Sequence, residues 1–121
     1  MALPPKLPKR PKRESRWRSQ AHLAFVRSFS CSMPSCSDMP IEAAHVRKGS
    51  GAGMGQKPSD DFAVSLCSRH HQQQHTMGED TFWQLYQTTS GHSVDRLLEA
   101  FRNGSPKRAE IARVKADRAN G

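Results

Sequence analysis

A chain of 121 residues, 35% hydrophobic with a mean hydropathy of -0.78, has material for one small domain and excludes an enzyme of many layers. Nineteen Lys and Arg against eleven Asp and Glu give a net charge of +8 and a pI near 10.0, which points to a polyanionic partner, nucleic acid before anionic membrane. No run approaches the roughly 18 apolar residues of a membrane span.

Residues 1–18 hold four prolines interleaved with basic residues, and such a segment buries too little apolar surface to offset its ordering. They read as an extended arm whose Lys9, Arg10, Lys12, Arg13, Arg16 and Arg18 would contact phosphates, with a solubilising tail as the alternative. No apolar stretch follows the charge, so the segment does not read as a secretory signal. Ser19 then caps a short amphipathic helix carrying Leu23, Phe25, Val26 and Phe29. Residues 31–40 (CSMPSCSDMP) read as a knuckle bracketed by Pro34 and Pro40, and 41–47 as a strand. Residues 48–61 form a glycine-rich loop that matches neither nucleotide-binding fingerprint.

A second strand over 62–66 and a helix over 68–76 follow. Residues 79–87 (EDTFWQLYQ) predict a helix that packs Phe82, Trp83 and Tyr86 inward and ends near Gly91. Two further helices are expected over 93–101 and 106–118, the second with Ser105 as N-cap and Pro106 in first position. The net charge divides as +7 over residues 1–30, -2 over 31–92 and +3 over 93–121, which suggests a chemical centre with basic arms. That centre holds all three cysteines and five of the six histidines.

Three cysteines cannot all pair within one chain, which favours a reducing compartment and thiolates used as ligands. Cys31, Cys36, Cys67 and His70 fall as C-x4-C and C-x2-H, two short-range pairs suited to a closed tetrahedral zinc site. The alternative is three small buried thiols and an incidental histidine. His71 and His75 lie four apart on one helix face and can chelate a second divalent ion; that face stands about a quarter-turn from Cys67 and His70.

His45 at a strand end, a glycine-rich loop, an acidic residue and then L-C-x-x-H-H-x-x-x-H resemble the HNH nucleases, whose fold is the ββα-metal motif. The stretch AAHVRKGSGAGMGQKPSDDFAVSLCSRHHQQQHTMGEDTFW is especially similar to small phage and prophage HNH proteins, the group that includes the recombination-enhancing Ref nuclease. The resemblance covers about residues 19–90. It implies His45 as general base for a water attacking a phosphodiester, and His71 and His75 as ligands of a catalytic Mg²⁺, Mn²⁺ or Zn²⁺. Asp60 falls near the family's middle Asn, where it would orient His45 or complete the metal shell, with Asp61 as its close rival. Many family members carry an Asp or His metal ligand just before the base, where this chain has Ala44; Glu42 alternates onto the same strand face. Arg47, Lys48 and Lys57 flank the centre and would hold the substrate backbone.

The expected protein is therefore α+β: a basic arm over 1–18, a zinc-stapled, treble-clef-like ββα-metal core over 19–92, and a helical extension over 93–121. The implied activity is metal-dependent endonuclease cleavage of DNA in phage or prophage recombination or processing. Its setting would be the cytoplasm of a bacterial or phage-infected cell, with a recombination protein as a further partner. The rival is a non-catalytic, zinc-stabilised nucleic-acid-binding module; an RNA-directed or toxin-type nuclease on the same core is a third reading.

Overall fold

The computed structural model describes residues 16–53 and 55–120, so Lys9, Arg10, Lys12 and Arg13 lie outside the described residues. The described chain is mixed α+β: α1 (Gln20–Arg27), β1 (Ile41–His45), β2 (Ala63–Cys67), α2 (Ser68–Met77), α3 (Glu79–Ser90), α4 (Val94–Gly104) and α5 (Arg108–Asn120). No helix among the described residues is long and apolar enough to cross a membrane.

The two strands pair antiparallel, Ile41 opposite Cys67 and His45 opposite Ala63. At about 3.4 Å per residue this sets Cys67 and His45 about 14 Å apart, at opposite ends of the hairpin. β2 is buried at every position because α1, α2 and α4 all pack on it. Around it gather Val26, Ala44, Leu66, Phe82, Trp83 and Leu98, each 2% exposed or less. The expected strand over 41–47 stops at His45: Val46 still donates to Phe62 O (2.8 Å), but the Arg47 N–H turns to the Glu79 carboxylate.

Ser19 caps α1, its hydroxyl accepting the His22 N–H at 3.1 Å. Ser93 caps α4 in the same way, and α3 ends at Gly91 in the left-handed conformation (φ 79°). The last helix departs from expectation. The Arg108 N–H donates to Ser105 O (3.2 Å) and closes a turn over 105–108, and α5 starts at Arg108 rather than at Pro106. α2 is unusual in burying no apolar side chain; its inward residues are His70 and Gln74.

Residues 16–18, expected within the arm, are fastened to the body. Arg16 donates to the carbonyls of Ser50 (3.2 Å) and Gly51 (3.0 Å), and Trp17 Nε1 donates to Glu110 of α5 (2.9 Å). Arg18 donates to Pro58 O, Lys57 O and Asp60.

Candidate metal centre and histidine site

The first candidate site is the Cys31, Cys36, Cys67 and His70 group, whose ligand atoms all lie within 4.8 Å of one another. Cys31 and Cys36 come from the knuckle, which is tied to β2 by Ser32 N–H donating to Ser65 O (2.9 Å) and Ser65 Oγ donating to Ser30 O (2.8 Å). Cys67 ends β2 and caps α2, placing its sulfur beside the first helical turn. His70 Nδ1 sits 3.4, 3.4 and 3.2 Å from the sulfurs of Cys31, Cys36 and Cys67, and the Cys36 and Cys67 sulfurs are 3.9 Å apart. Burial lowers the His70 pKa and so favours the neutral, ligand-competent ring. Burial pushes the Cys31 thiol up to about 11, while the backbone N–H of Asp38 holds Cys36 below the ordinary thiol value. This group could hold a metal ion, and binding would displace the Cys31 proton.

The second candidate is at the other end of the hairpin. His45 Nε2 is 2.8 Å from Asp60 Oδ1, with the histidine side chain 16% exposed and the aspartate 2%. The separation fixes Nε2–H as the donor and leaves the Nδ1 lone pair free. Burial lowers the His45 pKa, and Lys57 and Arg18 act in the same direction against the opposing pull of Asp60. The ring is therefore neutral at pH 7. The backbone around it is clamped as well: Gln74 Nε2 donates to His45 O (3.1 Å) and to Glu79 Oε1 (3.0 Å). Glu79 also accepts from the Arg47 N–H (2.9 Å) and from Trp83 Nε1 (3.3 Å).

Between Asp60 and Asp61 the structure separates the roles. Asp60 faces His45, Arg18 and the Ser19 N–H; Asp61 faces away and receives both terminal nitrogens of Arg118 at 3.2 Å. Both Asp60 oxygens accept hydrogen bonds, Oδ1 from His45 and Arg18 and Oδ2 from the Ser19 N–H. Among the described residues the Cys31, Cys36, Cys67 and His70 group alone brings three or more side chains of metal-ligand type together.

His71 and His75 do face each other, with their Nε2 atoms 3.2 Å apart. That spacing lies between the ligand edges of an octahedral Mg²⁺, about 3.0 Å, and a tetrahedral Zn²⁺, about 3.3 Å. Glu42 joins them indirectly. Its Oε1 lies 2.8 Å from His71 Nδ1, which turns His71 Nε2 toward His75. Ala44 is fully buried beneath the strand and supplies nothing.

The flanking cations are exposed. Arg47 donates to Gly53 O (3.1 Å), and Lys48 lines a cavity with Asp80 and Asp95. Gln74, Glu79 and Arg18 are the residues that sequence reasoning missed or placed elsewhere. Gln74 carried a faint signal, since it lies four residues after His70 and so shares its inward face.

The chain belongs to the family described as "Protein of unknown function (DUF968)", whose profile matches residues 3–102. It is also similar to "Uncharacterized protein YdfU" of Escherichia coli (strain K12), 38% identical over 72 residues that make up 59% of this chain and 19% of that protein. The chain thus spans about a fifth of the length of this curated relative. No solved structure matches it.

Proposed function

We propose that the protein is a metal-dependent DNA endonuclease of the HNH type, stapled by one structural zinc. The observation that carries this reading is the His45–Asp60 pair, a buried carboxylate 2.8 Å from an imidazole that keeps its other nitrogen free. Asp60 fixes the tautomer, and Nδ1 takes a proton from water as the water oxygen attacks phosphorus. The bond to the 3′ oxygen breaks and that oxygen takes a proton from solvent water, leaving a 5′ phosphate and a 3′ hydroxyl. His71 and His75 are the residues to hold a divalent ion, with Glu42 orienting His71. When bound, such an ion supplies charge that offsets the phosphate and the departing oxygen.

Zinc is favoured at the Cys31, Cys36, Cys67 and His70 group by donor chemistry and by geometry. A tetrahedral Zn²⁺ has S···S edges of about 3.8 Å and S···N edges of about 3.5 Å, against the 3.9 Å and 3.2–3.4 Å found. DNA is favoured as substrate by the +8 charge, and a role in phage or prophage DNA processing rests on the resemblance alone.

Supercoiled plasmid incubated with Mg²⁺ or Mn²⁺ should be nicked, and His45→Ala should abolish nicking while DNA binding persists. Absence of nicking with every divalent ion tried would overturn the reading. It would favour a zinc-stabilised nucleic-acid-binding module, a reading supported by the buried Ala44 and by a second ion site that offers only two imidazoles.

A further inference from the structure

Arg18 was expected to contact phosphate, yet its surroundings give it a different task. The Asp60 carboxylate has three donors: His45 Nε2 at 2.8 Å and Arg18 Nη1 at 3.2 Å on Oδ1, and the Ser19 N–H at 2.9 Å on Oδ2. The backbone of the same dipeptide is held too, the Asp60 N–H donating to Trp17 O at 3.0 Å. Arg18 also donates to the carbonyls of Lys57 and Pro58, just ahead of Asp60 in the chain. A guanidinium that bonds both the carboxylate and the loop leading to it removes the carboxylate's freedom to rotate.

We propose that Arg18 is a positioning residue for the His45–Asp60 pair: it locks the Asp60 carboxylate in the rotamer that meets His45 Nε2, and balances its charge. The proposal rests on the nuclease reading for its catalytic meaning, but the geometry it describes exists without it. Burial keeps His45 neutral against the opposing pull of Asp60, and Lys57 and Arg18 add to it. With Arg18 present the pair is Asp⁻–His⁰–Arg⁺, and Nδ1 stays available. The other charge acting on His45 is Lys57 from the loop, which works in the same direction as Arg18; Glu79, at the start of α3, is bonded to the Arg47 N–H and to Gln74.

The test uses the full chain, zinc-loaded, with Arg18→Gln and Arg18→Lys. NMR titration of the His45 ring should show its pKa rising in Arg18→Gln and returning most of the way in Arg18→Lys. In plasmid nicking, Arg18→Gln should lower kcat and move the acid limb of the pH profile upward, with KM and the salt dependence of DNA binding unchanged. An unchanged His45 titration would overturn the proposal. So would a salt slope reduced by about one with kcat intact, the result for an ordinary phosphate contact. If no variant nicks DNA, the nuclease reading fails while the His45 titration still decides the role of Arg18. Thermal melts of Arg18→Gln and Arg18→Lys identify simple unfolding, and the Lys variant then carries the test.

Discussion

His22 shows how burial alone can make a side chain sensitive to pH. Its ring is fully buried between Trp17 and Phe25, Nδ1 lies 2.8 Å from Ser105 Oγ, and Nε2 has no hydrogen-bond partner among the described residues. Burial lowers its pKa, outweighing the fields of Asp61 and Asp60. His45 is lowered chiefly by burial as well. A histidine kept neutral in the fold binds its proton first in the unfolded chain, so stability rises with pH below about 6.5 and is lost as pH falls from there. Zinc-saturated protein should therefore melt at a lower temperature at pH 5 than at pH 7, above the range in which its depressed carboxylates titrate. His22→Gln should flatten that drop in a series of circular-dichroism melts; an equal drop would assign the effect to other groups. The His45–Asp60 pair and the cysteine–histidine quartet were legible because motif spacing and a family pattern marked them. Arg18, Gln74 and Glu79 were not, since their partners stand 42, 29 and 32 residues away and neither charge nor periodicity marks such pairings.

The helices were the most readable elements, because their ends are written in local chemistry. Ser19 and Ser93 stand as N-caps, and Gly91 ends α3 with φ of 79°. An L side chain in that left-handed conformation costs roughly 1–2 kcal/mol. Gly91→Ala should lower stability by about that amount in urea unfolding, with the m-value unchanged; no loss would mean that α3 can end elsewhere. The start of α5 was misplaced because Ser105 serves two partners, His22 and the Lys107 N–H. The end of β1 depended on Glu79, which no strand pattern contains. α2 was legible from its histidine spacing rather than from hydropathy, and that fits its physics: an inward face of His70 and Gln74 gains little from burial and is held by hydrogen bonds.

In the whole molecule, the cysteine–histidine group gathers side chains from the knuckle, the end of β2 and the start of α2, where the knuckle is otherwise held to β2 by the Ser32–Ser65 and Ser65–Ser30 hydrogen bonds. Removing a bound metal should free all three together. Chelation of purified protein should release about one zinc per chain and abolish the cooperative thermal transition, and added zinc should restore it. Cooperative melting retained after complete zinc loss would show that the apolar core suffices. Residues 16–18, read from the sequence as part of the basic arm, belong to the body, fastened by Trp17 to Glu110 and by Arg18 to Asp60.

The adjacent Asp60 and Asp61 have one more consequence. Asp60 is gripped by Arg18, 42 positions earlier, and Asp61 by Arg118, 57 positions later, while Trp17 reaches Glu110 across 93. One dipeptide thus gathers distant stretches of chain, and none of these contacts can form until long loops have closed. Loop-closure entropy places them late in the order of assembly, after the local helices and the hairpin. The hairpin brings Asp60 to His45, and the grips of Arg18 and Arg118 on the aspartate pair are then among the last contacts to be set.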